Sequence, residues 1–147
     1  MDVIASLEAE VDPERLHRVV ADLGTYPGWL DIVPRAEPVD ADAGDPGPAW
    51  SVDLRGQLGP LRRSKRLRMV RRRDEPTIVE FERRELDDRS HSDWVLSAHI
   101  SPGDGVSTLT MQLHYGGSMW MPMLDRLLAD EIERSRARLL AAVRDAS

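Results

Sequence analysis

The stretch MWMPMLDRLLADEIERSRARLLAAVR, residues 119–144, decides how the rest of the chain must be arranged. Turning ~100° per residue from Leu124 places Leu128, Ile132, Leu139, Ala142 and Val143 on one apolar arc, with Leu127 on its flank. Arg126, Asp130, Glu133, Arg136 and Arg144 take the opposite, solvated face. The period predicts one amphipathic helix from Met119 to Arg144, introduced by the Gly116-Gly117 break. A single helix cannot bury such an arc alone, so a sheet must be supplied from upstream. Two polar residues interrupt the arc, Ser135 near its centre and Glu131 at its edge.

Upstream, strand parity is clear. Val3, Ala5, Leu7, Ala9 and Val11 alternate with polar residues, which predicts a first strand over Val3 to Val11. Asp12-Pro13-Glu14 then starts a helix: the Asp12 side chain can accept from free backbone N–H groups, and Pro13 suits the first helical position. Leu16, Val19, Val20 and Leu23 continue that helix to Gly24, and a second short helix carries Trp29, Ile32 and Val33 inward before Pro34. Asp40 to Pro48 lacks any large apolar residue and reads as a loop. A meander follows. Its inner sets are Trp50, Val52, Leu54 and Leu58; Leu61, Leu67 and Met69; Val79 and Phe81; Trp94, Leu96, Ala98 and Ile100; and Leu109, Met111, Leu113 and Tyr115.

Turn positions set an expected register. Leu58 opposite Leu61 puts Trp50 opposite Met69, and Arg73 opposite Thr77 puts Met69 opposite Phe81. The later loops place Phe81 by Trp94 and Trp94 by Tyr115, giving an aromatic row across the inner face.

Composition narrows the function classes. At 147 residues, with 41% hydrophobic and 31% charged residues, the chain is one globular domain, 1–147. The absence of Cys removes disulfides, thiolate catalysis and Cys-ligated metals. Met1-Asp2-Val3 has neither the basic nor the apolar part of a secretory signal, and no run spans a membrane, so a cytoplasmic protein without a transmembrane segment is expected. A net charge of -6 argues against a nucleic-acid partner. The basic residues are 19 Arg and a single Lys, Lys65.

Arg62 to Arg73 holds eight basic residues in twelve. A phosphate-binding or protein-interaction strand over 62–73 is one reading; the register gives a plainer one, with Arg66 and Arg68 outward and Arg68 opposite Glu82 in cross-strand ion pairs. Arg63, Lys65 and Arg83 point inward by parity, either snorkelling from strand ends, with Lys65 paired to Glu85, or lining the mouth of a cavity. Glu131 either reaches Arg134 or serves as an acid–base or binding group, and Ser135 removes volume where a packed core would carry Leu. Met119 to Met123 is adaptable apolar wall or ordinary core. His91, His99 and His114 face outward, the four His lack close ligand spacing, and no metal site is expected.

Val11-Asp12-Pro13-Glu14-Arg15-Leu16, then Asp22-Leu23-Gly24-Thr25-Tyr26-Pro27-Gly28-Trp29, then Val79-Glu80-Phe81, Trp94-Val95-Leu96 and the closing helix together resemble the START and birch-pollen-allergen-like superfamily. Within it the chain is similar to the polyketide cyclase/dehydrase and lipid transport group. The resemblance implies an α+β helix-grip fold: an antiparallel sheet wrapped around a long C-terminal helix, with two short helices after the first strand. It also implies a hydrophobic cavity between sheet and helix and a small hydrophobic ligand, aromatic, polyketide or lipid-like, with no cofactor. Position assigns Trp29, Trp50, Lys65, Leu67, Met69, Phe81, Arg83, Trp94, Met111, Tyr115, Met119, Leu128 and Ser135 to ligand binding. Polyketide cyclisation or dehydration is the enzymatic alternative, with Glu131 and Tyr115 as its catalytic groups. A homodimer is left open. Ligand binding predicts an enclosed apolar cavity of at least ~300 Å³.

Overall fold

Alternating burial along the upstream segments closes into one antiparallel sheet. The structure, a computed structural model, describes residues 2–58, 60–116 and 124–146, without the side chains of residues 57, 58, 61, 124 and 125. Strand β1 (Asp2–Ala9) buries Val3, Ala5, Leu7 and Ala9 and exposes the residues between them. Helix α1 (Pro13–Val20) and a 3-10 helix (Leu23–Gly28) follow. The remaining strands are β2 (Arg35–Val39), β3 (Ala49–Leu58), β4 (Leu61–Glu75), β5 (Ile78–Arg83), β6 (Trp94–Pro102) and β7 (Ser107–Tyr115). Their order in space is β1-β7-β6-β5-β4-β3-β2. Helices α2 (Leu124–Arg134) and α3 (Arg136–Asp145) pack on the inner face, α2 against β1 and α3 against α1, the 3-10 helix and β1. This is the helix-grip α+β architecture.

The structure corrects several local expectations. The closing helix divides at Ser135 into α2 and α3: the Ser135 hydroxyl donates back to the Ile132 carbonyl at 2.8 Å, a bond that bends a helical turn, while the Ser135 N–H to Glu131 carbonyl and Leu139 N–H to Ser135 carbonyl bonds carry the backbone ladder across. The Asp12 side chain makes no cap bond; its backbone carbonyl takes the Leu16 N–H instead, and Pro13 alone marks the start of α1. The first strand ends at Ala9 rather than Val11, and α1 ends at Val20. Strand β2 carries no alternation that would announce it in the sequence; it is an edge strand, where Pro38 is tolerated because its missing N–H costs no ladder bond.

Register is where sequence and structure differ most usefully. Trp50 pairs with Met69 and Trp94 with Tyr115, as the turns predict. Phe81, however, faces Arg71 and Leu96 rather than Met69 and Trp94. The β4–β5 turn is tighter than expected, with Glu75 opposite Ile78. That pairing would turn Phe81 outward if it ran unbroken along the strand. A register shift between Arg71 and Arg73 adds one residue, Arg72, and returns Phe81 to the inner face, where it is fully buried. The same shift moves Glu82 opposite Val70, so Arg68 does not meet it; Arg72 bonds both Glu80 (2.8 Å) and Glu82 (3.1 Å) instead.

Arg68 turns to the Asp40–Pro48 loop. Its guanidinium bonds Asp45 at 2.6 Å and the carbonyls of Asp40 and Arg84, and it holds the Asp45 carboxyl below the usual carboxylate range. Gly47 brings the end of that loop against β4: a Cβ there would sit 2.4 Å from the Arg71 carbonyl oxygen, so no side chain fits.

The core's aromatic residues form a connected group. Tyr26 lies 4.7 Å from Trp29 and edge-on to Phe81 at 6.4 Å, and Phe81 is edge-on to Trp50 at 5.7 Å. The two edge-on geometries are favoured ones for ring pairs.

Candidate functional site

Two spaces lie beside the 3-10 helix and the residues that follow it, and both touch α2. The inner one is an apolar chamber of about 70 Å³. The 3-10 helix and the residues just after it contribute Leu23, Tyr26, Leu30, Ile32 and Val33 to its wall. Strands β3 and β4 add Val52, Leu54, Leu67 and Met69, while β6, β7 and α2 add Trp94, Leu96, Leu113 and Leu128. Parity explains the strand contributions, because each set is the inward-facing half of its strand. The chamber is well below the ~300 Å³ expected of an enclosed pocket for a whole ligand.

The outer space is an open cleft of about 1010 Å³ at the sheet's β3 side. Pro27, Asp31, Ile32 and Pro34 form one wall, Arg55, Gly56 and Arg62 of the β3–β4 hairpin another, and Leu127, Glu131 and Arg134 of α2 the third. Ile32 lines both spaces and is their common wall.

The cleft is tied together by carboxylates. Glu131, 5% exposed, accepts the Asp31 backbone N–H at 2.6 Å with one oxygen and the Arg134 guanidinium at 2.9 Å with the other. The Asp31 carboxylate is bonded by Arg138 of α3, which holds it below the usual carboxylate range. Both helices thus clamp residue 31. Arg134 is the partner anticipated for Glu131. Tyr26 presents only its ring to the chamber: its hydroxyl donates to the Val20 carbonyl at 2.9 Å, and burial pushes its phenol far above the ordinary range.

The residues assigned by position fall into distinct places. Leu67, Met69, Trp94 and Leu128 are on the chamber wall. Tyr115 stacks on Trp94 at 5.3 Å, and Trp29, Trp50 and Phe81 join the wall through Tyr26 in the ring cluster. Met111 is buried in the core. Ser135 is fully buried with its hydroxyl spent on Ile132. Met119 lies outside the described residues. Arg83, with 9% of its side chain exposed, bonds Glu85 at 3.0 Å. Glu85 also accepts the Arg68 N–H, so it engages Arg83 rather than Lys65. The Lys65 ammonium sits 5.9 Å over the Trp94 ring, and burial together with the Arg83 charge holds it below the usual lysine range against the pull of Glu85.

Sequence reasoning passes over the residues that close the site from the loop side. Tyr26 and Leu30 lie in a segment too short for a helical period, Leu23 reads as the end of the first helix, and Arg55 and Arg62 read as outward on parity alone. The signal available for Tyr26 is its place beside Pro27 and Trp29. Of the basic strand, Arg66, Arg68, Arg71, Arg72 and Arg73 are in ion pairs with Asp or Glu. His17, His91 and His114 each pair with an Asp at 2.7 Å. Among the described residues, no group of three or more His, Asp or Glu could hold a metal ion, and no helix is long and apolar enough to cross a membrane.

Comparison with solved structures finds this fold repeatedly. A protein of Thermus thermophilus superposes with a TM-score of 0.72 at 16% identity, covering 100% of this chain and 99% of that one. A START superfamily protein from Mycobacterium smegmatis gives 0.67 at 17% identity, covering 99% of each. Ara h 8.0201 gives 0.59 at 14% identity, covering 98% of this chain and 95% of its own. A search of curated proteins by sequence found no match. A family model described as polyketide cyclase/dehydrase and lipid transport matches residues 2–144.

Proposed function

Given that the chain belongs to the polyketide cyclase/dehydrase and lipid transport family, we propose that it binds a small hydrophobic molecule, one end in the chamber and the rest in the cleft. The observation that carries this is the chamber, apolar in all its described lining, beside a much larger cleft with which it shares Ile32. A chamber of about 70 Å³ takes an end group, not a polycycle, so the ligand must extend outward. Burial of that end supplies affinity at ~25 cal/mol per Å² before association costs. Binding asks no proton transfer of Glu131, whose two oxygens already accept hydrogen bonds and position residue 31.

Leu128→Trp tests the reading by filling the chamber from α2. Octanol binding, measured by isothermal calorimetry, should weaken at least ~10-fold in the variant, the loss expected for excluding two or more methylene groups. Retained far-ultraviolet dichroism confirms that the variant is folded. Equal affinity in wild type and folded variant would reject the chamber as the binding site. Native mass spectrometry of protein isolated from its own host then identifies the natural ligand.

A further inference from the structure

The charges that line the cleft do not balance. Asp31 is neutralised by Arg138 and Glu131 by Arg134, so these four groups cancel in pairs. Two cations among the described lining residues are left, Arg55 and Arg62; the Arg55 backbone N–H bonds the Ile32 carbonyl at 2.8 Å, but neither guanidinium makes a hydrogen bond or ion pair with any described residue. Further along the same hairpin Arg66 is matched, because it bonds Asp53, which also takes Arg35 from β2. The register explains how the two unmatched cations meet. Arg55 pairs with Ser64 and Gln57 with Arg62, which makes Arg55 and Arg62 diagonal neighbours on one face, ~7–8 Å apart at the backbone. That spacing suits two guanidinium groups converging on one anion from either side. Arg55 adds to the field that holds the Asp31 carboxyl low but is not bonded to it, and two guanidinium groups without a bonded carboxylate in a chain of net charge -6 are a local feature and not a consequence of composition.

The cleft's other wall is not polar throughout. Pro27, Ile32, Pro34 and Leu127 give it an apolar part, of which Ile32 also lines the chamber. We propose that the cleft is a head-group site: Arg55 and Arg62 hold the carboxylate or phosphate of an amphipathic ligand whose apolar part runs past Ile32 into the chamber. The inference rests on the reading of the chamber as an apolar ligand site and adds the ligand's chemical class. Guanidinium groups are suited to this, because they form forked, charge-assisted hydrogen bonds with planar or tetrahedral oxyanions. The cleft's openness keeps the anion partly hydrated, so the desolvation cost stays low.

Calorimetry at low ionic strength with octanol and octanoate, which share a tail, separates the two halves of the site. Wild type should bind octanoate about 10-fold more tightly than octanol, the gain expected of charge-assisted hydrogen bonds in an exposed setting. In Arg55→Gln/Arg62→Gln the preference should vanish with octanol affinity unchanged, and Arg126→Gln, an exposed site on α2 outside the cleft, should keep it. Both changed side chains are exposed and make no bond with a described residue, and Gln keeps the backbone bonds of each position, so the double variant folds. Octanol binding without any gain for octanoate, or a gain that survives the double variant, would overturn this inference alone. Failure of both compounds to bind would overturn the chamber reading and this inference with it. Inorganic phosphate displacing octanoate at equal concentration would also overturn it, by showing that the arginines take a free anion with no contribution from a tail.

Discussion

Phe81→Ala is expected to remove about 4 kcal/mol of stability, a large share of the roughly 5–15 kcal/mol that a domain possesses. Phe81 is the chain's one Phe, is fully buried, and contacts both Tyr26 and Trp50 edge-on. Truncation leaves a cavity in the middle of the sheet that the flanking β4 and β6 cannot close, because their spacing is fixed by ladder hydrogen bonds. It also removes two ring contacts worth roughly 1 kcal/mol each beyond burial. Phe81→Leu keeps most of the volume and should lose only about 1.5 kcal/mol. Urea denaturation of the three proteins measures both; a loss below about 1 kcal/mol for the Ala variant would show that the ring cluster is not the centre of the core.

The second large effect is electrostatic. Arg68→Ala is expected to lose about 3 kcal/mol at neutral pH, because it leaves the Asp45 carboxylate, whose side chain is 2% exposed, with the Asp42 backbone N–H but no bonded cation. It also frees the carbonyls of Asp40 and Arg84. The effect depends on pH with a definite sign. Arg68 lowers the Asp45 pKa in the folded state, so the pair's contribution is complete above the unfolded value of ~3.9 and is lost as pH falls through the lower folded value. In the variant Asp45 has no such partner. The stability gap between wild type and variant should therefore narrow below about pH 4. Arg68→Met/Asp45→Ala removes both charges and should recover much of the loss. Urea midpoints at neutral pH and at pH 3 decide it; a gap that stays constant with pH would show that the Asp45 charge is not the cause.

Both predictions fall on residues whose surroundings are only partly legible in the sequence. Parity places Phe81 inside, because a period of two survives any even error in register. Its neighbours escape the sequence because they depend on the tight turn after Glu75 and on the bulge at Arg72, and nothing in a run of three arginines marks which one is extra. Arg68 reads correctly as an outer-face residue in an ion pair, but the pattern points to a partner on the next strand. Asp45 comes from a loop whose path no local pattern specifies. The site divides the same way. Leu67, Met69, Trp94 and Leu128 are legible from strand and helix periods. Tyr26, Arg55 and Arg62 reach their places through the 3-10 segment and the twist of a hairpin, and those are set by tertiary packing. Ser135 is visible as an anomaly in an apolar arc; its effect, the division between α2 and α3, comes from its hydroxyl bonding back to Ile132.

A chain with nineteen arginines and one lysine offers a lysine-specific protease a single bond, the one after Lys65. That bond lies within β4, laddered to Leu54 of β3, with the side chain folded over Trp94. A protease needs several residues of extended, unpaired backbone, so the strand must leave the sheet before it is cut. Each scission then marks one opening event and yields the same two fragments, which makes the intact protein a one-hit clock for its own unfolding. An occupant of the chamber, where the Trp94 ring forms part of the wall, would be read as a slower clock without any label on the occupant.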